Sequence, residues 1–402
     1  MNPEPLNESF SQNPYRWVIL VLLWLLYAAF GIISRSIFPL VTPVIADLNL
    51  SYSQMGFILG SWQLTYIFAA LVAGAVLDRW GVRKSIFAGA LVIGLSAALR
   101  YYTIGFVSML AAVALFGIGG PMISIGGPKA ISFWFQGRSR GMAMGVYTTG
   151  SWFGGLTALA LTNSLVMPLV DYSWRLTFVV YAVTALVVAL LWLLLARRDE
   201  SGEYQERIGI IEVFSQLIKI RNVRILLAMG LCSFAIIHGF SSWLPKILED
   251  SGLHAAKAGW AAALAIATGI PSILILPSVV PPRFRGRIIA WFALLTAILF
   301  FLVLKTSGII LYVVLVVLGF VIAPYMALLL LLLMESPGVE TRHMGSAGGM
   351  FFCVAEIGGF TGPLVMGILV DATGTFVAGA VFLASLCLAI AVLTFLLDNR
   401  SD

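Results

Sequence analysis

The chain has 402 residues, 60% of them hydrophobic and only 10% charged, with a mean hydropathy of +1.01 and a formal net charge of +6. This composition belongs to an integral membrane protein and excludes a soluble enzyme; the apolar residues are spread too evenly to leave room for a soluble catalytic domain. The net positive charge suits an acidic partner at first sight, but its distribution along the chain is that of membrane topology.

The first 14 residues carry Glu4 and Glu8 and no basic residue, so they lack the form of a cleaved signal peptide. Twelve apolar runs follow, at 15–46, 53–77, 86–103, 105–134, 141–165, 174–196, 223–248, 258–280, 287–304, 309–334, 344–370 and 375–397. Each is long enough for a helix crossing about 30 Å of hydrocarbon, some with tilt. The expectation is an all-α membrane protein with twelve transmembrane helices in two pseudo-symmetric six-helix bundles. Glycines and the prolines Pro39, Pro121, Pro128, Pro271 and Pro363 are tolerable inside packed membrane helices. The three cysteines, Cys232, Cys353 and Cys387, sit inside apolar runs and read as buried thiols, not a disulfide framework.

The loops give the sidedness. Arg16, the trio Arg79, Arg83 and Lys84, the pair Arg138 and Arg140, the central loop, Arg283, Arg285 and Arg287, Arg342 and Arg400 all fall on one side. The other side holds only Arg175, Lys246, Lys257 and Lys305. That asymmetry places both termini and the central loop in the cytoplasm. The stretch 197–222, opening with Arg197-Arg198-Asp199-Glu200 and carrying a short amphipathic piece from Ile208, is the one substantial polar interruption. It separates a first bundle, 1–196, from a second, 223–402. Two equal membrane halves joined by a linker are the layout of a transporter with its site at the repeat interface.

The sharpest local signal is the charged turn after the second run, Gly74-x-x-x-Asp78-Arg79-x-Gly81-x-Arg83-Lys84. Gly81 permits the reversal, and Asp78 can sit at a helix end and pair with a base on a neighbouring span. This loop resembles the signature of the major facilitator superfamily, and the resemblance implies that these six residues form a cytoplasmic latch. The second-half counterpart, Pro277 to Arg287, keeps the arginines and Gly286 but has no acid at the corresponding place. Small-residue faces at Gly145, Gly150, Gly154 and Gly155, and at Gly358, Gly359 and Gly362, suit close helix approach. Trp243-Leu244-Pro245 also resembles the superfamily, in particular its anion transporters and the cyanate/nitroimidazole permease group.

Ionisable groups inside hydrocarbon are costly and mark function by default. Arg35 lies 19 residues after Arg16, late in the first run. In the superfamily's organic-anion symporters an arginine at this spacing binds the substrate carboxylate, so the resemblance implies that role for Arg35. A planar guanidinium suits it, because its fork can hold both carboxylate oxygens. Snorkelling to the outer interface, or a structural contact with a helix end, stays open as the other reading. Those symporters carry an aspartate before the arginine and a glutamate in the fourth span, where this chain has Ser34 and Gly120. The departure puts that particular proton pathway in doubt.

Glu356 is the one carboxylate well inside the second half. It is a candidate for carrying a coupling proton, with a structural strut or a ligand for a cationic moiety as the other readings. His238 can donate to a substrate or titrate near neutrality, or simply be satisfied by a backbone carbonyl. Trp62, Gln63 and Tyr66 share a helical face; Gln63 and Tyr66 are apt for hydrogen bonds and aromatic packing is the plain alternative. Arg100, beside Tyr101 and Tyr102, reads as interfacial, part of an aromatic belt. Lys129 guards an exit path or snorkels. His254 and His343 are isolated loop residues.

No nucleotide-binding G-x-x-x-x-G-K-[ST] occurs, nor a cluster suited to a metal or a nucleophile with its base, so neither a cofactor nor an enzymatic activity is expected. The reading that results is a monomeric secondary transporter of a bacterial inner membrane, with the lipid bilayer and a small anionic substrate as partners and no nucleic acid. It moves a carboxylate by alternating access, coupled to H+ by symport. Arg35, Gln63, Tyr66 and His238 bind the substrate and Glu356 couples the proton. The alternatives are proton-coupled efflux of drugs or metabolites, and substrate exchange or uniport. A transporter-like receptor would need a longer cytoplasmic domain than the central loop offers.

Overall fold

The computed structural model describes residues 13–197, 210–339 and 344–397. Twelve helices in it are long and apolar enough to cross a membrane. The first six are α1 (Arg16–Leu48), α2 (Tyr52–Trp80), α3 (Val82–Tyr102), α4 (Phe106–Trp134), α5 (Gly137–Leu169) and α6 (Trp174–Leu195). The second six are α7 (Arg221–Asp250), α8 (Ala255–Val279), α9 (Pro282–Lys305), α10 (Gly308–Met334), α11 (Ser346–Thr373) and α12 (Phe376–Phe395). The chain is thus an all-α membrane protein, as its hydropathy requires. A short helix, Ile210–Leu217, lies in the described part of the central linker; residues 198–209, and with them Arg198, Asp199 and Glu200, lie outside the described residues. So do Glu4, Glu8, Arg342, His343 and Arg400.

Hydropathy does not see the breaks. The apolar run of α1 is continuous in sequence, yet its α-helix stops at Arg35, passes through a 3₁₀ turn at Phe38–Leu40 and resumes over Val41–Leu48. Pro39 accounts for this: it has no N–H to donate and disfavours helical geometry in the residue before it. A π-turn interrupts α5 at Thr162–Val166, where the Thr162 hydroxyl donates to the Ala158 carbonyl and lies 2.7 Å from the Tyr181 hydroxyl.

Two compact units emerge: the described parts of 1–40 and 64–204 form one, and those of 41–63 and 205–402 the other. In the first unit α1 packs on α5 and α6, and α3 on α4 and α6. In the second, α7 packs on α11 and α12, α9 on α10 and α12, and α8 on α10. Adding six to each helix number of the first set of pairings reproduces the matching pairings of the second, which is the signature of an internal repeat.

Lipid tails are as apolar as leucine, so membrane helices associate by close packing of small residues more than by the hydrophobic effect. Both units have such a seam. In the first, Gly150 and Gly154 of α5 abut the carbonyls of Trp24 and Ala28, and Gly31 of α1 abuts that of Ser151. In the second, Gly358 and Gly362 of α11 abut the carbonyls of Leu231 and Ala235 on α7. A methyl group at any of these positions would collide with backbone.

Candidate functional site

The first seam delivers Arg35. Tyr27, Gly31 and Arg35 follow one another at a spacing of four on α1, as do Tyr147, Ser151 and Gly155 on α5, so both sets lie on single helix faces. The Arg35 side chain runs across Gly155: a Cβ there would sit 2.9 Å from both Nε and Nη1. Nη1 donates to the Ser151 carbonyl at 3.4 Å, and the guanidinium lies 6.0 Å from the Trp152 ring centroid. Among the described residues no carboxylate pairs with it. A mostly buried guanidinium with one long bond to a carbonyl retains donors for an anion.

Aromatic groups surround this side of the first unit. The Tyr27 and Tyr147 rings stack with centroids 4.4 Å apart, and Tyr147 donates to the Ile123 carbonyl at 2.8 Å. Tyr27 is also an electrostatic neighbour of Arg35. The Tyr66 hydroxyl lies 2.7 Å from that of Ser124, and its ring packs over Gly120. A Cβ at Gly120 would be 3.1 Å from both the Phe30 and Tyr66 rings, so the position where related symporters carry a glutamate is filled here by aromatics. Ser34 donates back to the Gly31 carbonyl at 3.1 Å. Tyr27, Tyr147 and Trp152 were not singled out from sequence; the i, i+4 ladder leading to Arg35 was the signal for the first two.

Arg100 corrects an expectation. It is 1% exposed and so not interfacial, while Tyr101 and Tyr102 beside it do face outward. Its guanidinium donates to the Ile33 carbonyl and Ser36 hydroxyl at 3.3 Å each and to the Ser96 hydroxyl at 3.5 Å, and lies 5.0 Å from the Phe178 ring centroid.

In the second unit Gln63, His238 and Glu356 converge on one glycine. A Cβ at Gly359 would meet Glu356 Oε2 at 3.1 Å, Gln63 Cγ at 3.2 Å and His238 Cδ2 at 3.3 Å. Gln63 Nε2 lies 3.2 Å from His238 Nδ1, while Gln63 Oε1 and Glu356 Oε2 are buried without a hydrogen-bond partner. Trp62 meets the imidazole edge-on with ring centroids 6.0 Å apart, and Phe234 lies tilted against it at 5.3 Å. A carboxylate and an amide oxygen that both lack donors make this an acceptor-rich niche, open to protons or donor groups. Trp243, by contrast, is fully buried and donates to the Pro363 carbonyl at 3.0 Å, so the Trp-Leu-Pro motif is committed to packing.

At the charged turn, Gly81 has φ +78° and ψ 156°, a region that side chains other than glycine's rarely adopt. Asp78 forms a partly exposed salt bridge with Lys129. Arg83 donates to the Leu193 carbonyl and receives Trp192 Nε1 on its own carbonyl at 2.9 Å. Arg79 and Lys84 are exposed, and Gly74 has open space beside it. In the second half Arg285 pairs with Glu335, so the missing acid of that turn is supplied from the end of α10.

The sequence model described as Major Facilitator Superfamily matches residues 23–363. The chain belongs to this superfamily. It is 28% identical over 397 residues to the hexuronate transporter of Bacillus subtilis (strain 168), covering 90% of each chain. It is 23% identical over 422 residues to the probable galactarate/D-glucarate transporter GudP of the same strain, covering 95% of this chain and 91% of that one. The fold is similar to the crystal structure of a bacterial homologue of the human lysosomal transporter Spinster in an inward-facing, unoccupied conformation, with a TM-score of 0.77 and 18% identity over 96% of both chains. The protein is therefore a multi-pass membrane transporter and not an enzyme.

Proposed function

We propose that this transporter moves a sugar acid, a polyhydroxylated carboxylate of the hexuronate or aldarate kind. The carrying observation is Arg35, a mostly buried guanidinium laid over Gly155 with a backbone carbonyl at 3.4 Å and no carboxylate partner among the described residues. Relatives aligned over nine-tenths of the chain are named as transporters of hexuronate and of galactarate/D-glucarate, which supports the same class here. Arg35 takes the carboxylate through its planar fork; Tyr66, Gln63 and His238 meet hydroxyl groups.

Glu356 carries the coupling proton, so the leading mechanism is H+ symport by alternating access. Its buried oxygen without a donor supports this, since a carboxyl in hydrocarbon must be paired or protonated. The turn formed by Gly74, Asp78, Arg79, Gly81, Arg83 and Lys84 acts as the conformational latch at the cytoplasmic surface. Both termini are cytoplasmic, and the protein works as a monomer in a bacterial inner membrane. A second reading, exchange without a proton, is favoured by Ser34 and by the aromatic filling at Gly120, which remove the acids that related symporters use.

The deciding experiment is uptake of radiolabelled D-galacturonate, D-glucarate and neutral hexoses into proteoliposomes, with and without an imposed pH gradient. Uptake of the acids alone, lost in Arg35→Gln, supports the proposal. Equal uptake of neutral hexoses, or full activity of Arg35→Gln, refutes it.

A further inference from the structure

A buried cation in the first unit has no role in the scheme above. Arg100 is 1% exposed, and among the described residues it has no carboxylate partner. Burying a charge without an acidic partner is expensive, and a leucine or glutamine at the end of α3 would avoid that cost. Something in the fold must make use of it.

Its contacts identify what. The α-helix of α1 ends at Arg35, and the last carbonyls of any helix lack intrahelical donors. Arg100 joins the Ser36 hydroxyl there, which itself donates to the Ile33 carbonyl at 3.0 Å: Nη1 bonds the Ile33 carbonyl and the Ser36 hydroxyl, each at 3.3 Å, two residues before Arg35 and one after it. The other guanidinium nitrogen reaches Ser96 on its own helix at 3.5 Å, and the Phe178 ring of α6 backs the cation at 5.0 Å. A cation at a helix C-terminus also suits the partial negative charge gathered there. The planar fork thus ties the break of α1 to α3 and α6 at the very turn that bears Arg35. On the opposite face of that turn Gly31 touches the Ser151 backbone, and Arg35 itself crosses Gly155. The turn is held from both sides.

We propose that Arg100 is a positioning residue for Arg35: by bonding the backbone and side chain on either side of it, Arg100 fixes where the Arg35 guanidinium is presented. The purpose assigned to that placement, holding a carboxylate, rests on the function proposed above; the placement itself does not.

The test therefore has a ligand-free arm and a ligand arm. In the first, Cys232, Cys353 and Cys387 are replaced by alanine and Arg35 by cysteine, and the rate of modification by a small anionic thiol reagent is measured in the purified protein. Adding Arg100→Gln shifts that rate about tenfold, and Arg100→Lys shifts it less, because an ammonium keeps the charge but loses the fork. An unchanged rate in a folded Arg100→Gln protein overturns the proposal. If that variant does not fold, Ser36→Ala removes one of the two anchoring acceptors with the cation intact, and an unchanged rate there overturns it equally. In the second arm, D-galacturonate affinity is measured in a double-mutant cycle. Arg100→Gln weakens binding about tenfold in the Arg35 background and adds nothing in the Arg35→Gln background. Additive losses mean an independent role and overturn the proposal. Absence of D-galacturonate binding by the unaltered protein counts against the sugar-acid reading alone, with the labelling arm still deciding the role of Arg100.

Discussion

The Gln63 carboxamide lies 3.2 Å from His238 Nδ1 through its nitrogen, although the two residues are 175 positions apart in the chain. An amide NH2 can only donate, so Nδ1 accepts and the neutral imidazole carries its proton on Nε2. A proton added at Nδ1 would displace Gln63 from this bond and call for the amide oxygen, which is buried and has no donor.

Replacing Gln63 by leucine removes the amide donor from the part-buried His238 Nδ1. The expected cost is about 1–3 kcal/mol, the usual penalty for a buried polar atom deprived of its partner. It is read as a lowered melting temperature in detergent, and Gln63→Asn, which keeps the amide on a shorter stem, recovers only part of it. An unchanged melting temperature in the leucine variant would show that the bond contributes nothing.

Glu356→Gln retains shape and hydrogen-bonding capacity but cannot exchange a proton. Accumulation of D-galacturonate driven by a pH gradient should be abolished while counterflow between substrate-loaded and external pools persists. Gradient-driven accumulation that survives in this variant would move the coupling site elsewhere.

Gly155 is the slot for Arg35, so a larger side chain there must push the guanidinium away. Gly155→Leu is expected to weaken sugar-acid affinity by about 1.4 kcal/mol or more, a factor of ten, without abolishing insertion or folding. Substrate-induced thermal shifts measure this directly. Wild-type affinity in Gly155→Leu would mean that Arg35 binds from another rotamer.

Two substitutions in the charged turn should behave differently. Gly81→Ala forces a methyl-bearing residue into a backbone region that costs about 1–3 kcal/mol, and lowers thermal stability accordingly. Asp78→Asn breaks a solvent-accessible pair with Lys129 worth about 0.2–1 kcal/mol, so stability hardly changes. Transport turnover should fall all the same if the pair is a latch, and the swap Asp78→Lys with Lys129→Asp should restore it in part. Turnover equal to wild type in Asp78→Asn would leave the turn with a purely structural part.

Spans, polarity class and superfamily were legible because hydropathy and the Gly74–Lys84 spacing are local signals. Arg35 and Glu356 stood out for the same reason: each is an ionisable group in an apolar run. The meeting of Gln63, His238 and Glu356 at Gly359 was not legible, since it depends on which faces of distant helices are brought together. Arg100 was misread because two tyrosines follow it at the end of a run, which is the local pattern of an interface; its side chain turns the other way, toward the broken end of α1. Hydropathy passed over that break as well, since Pro39 is apolar. Glu335 lies outside the turn from Pro277 to Arg287, and only the fold carries it to Arg285.

The two glycine seams have a practical consequence. Where helices touch through backbone, the fit depends on what is missing from the side chains, and no compensating substitution nearby can recreate that space. Random libraries that include Gly31, Gly150, Gly154, Gly358 or Gly362 will be depleted of active members at those positions whatever else they contain. Libraries that spare them can vary side chains such as Tyr66, Trp152 or Phe234 instead, so altering selectivity is a search over side chains mounted on a scaffold that must itself be left alone.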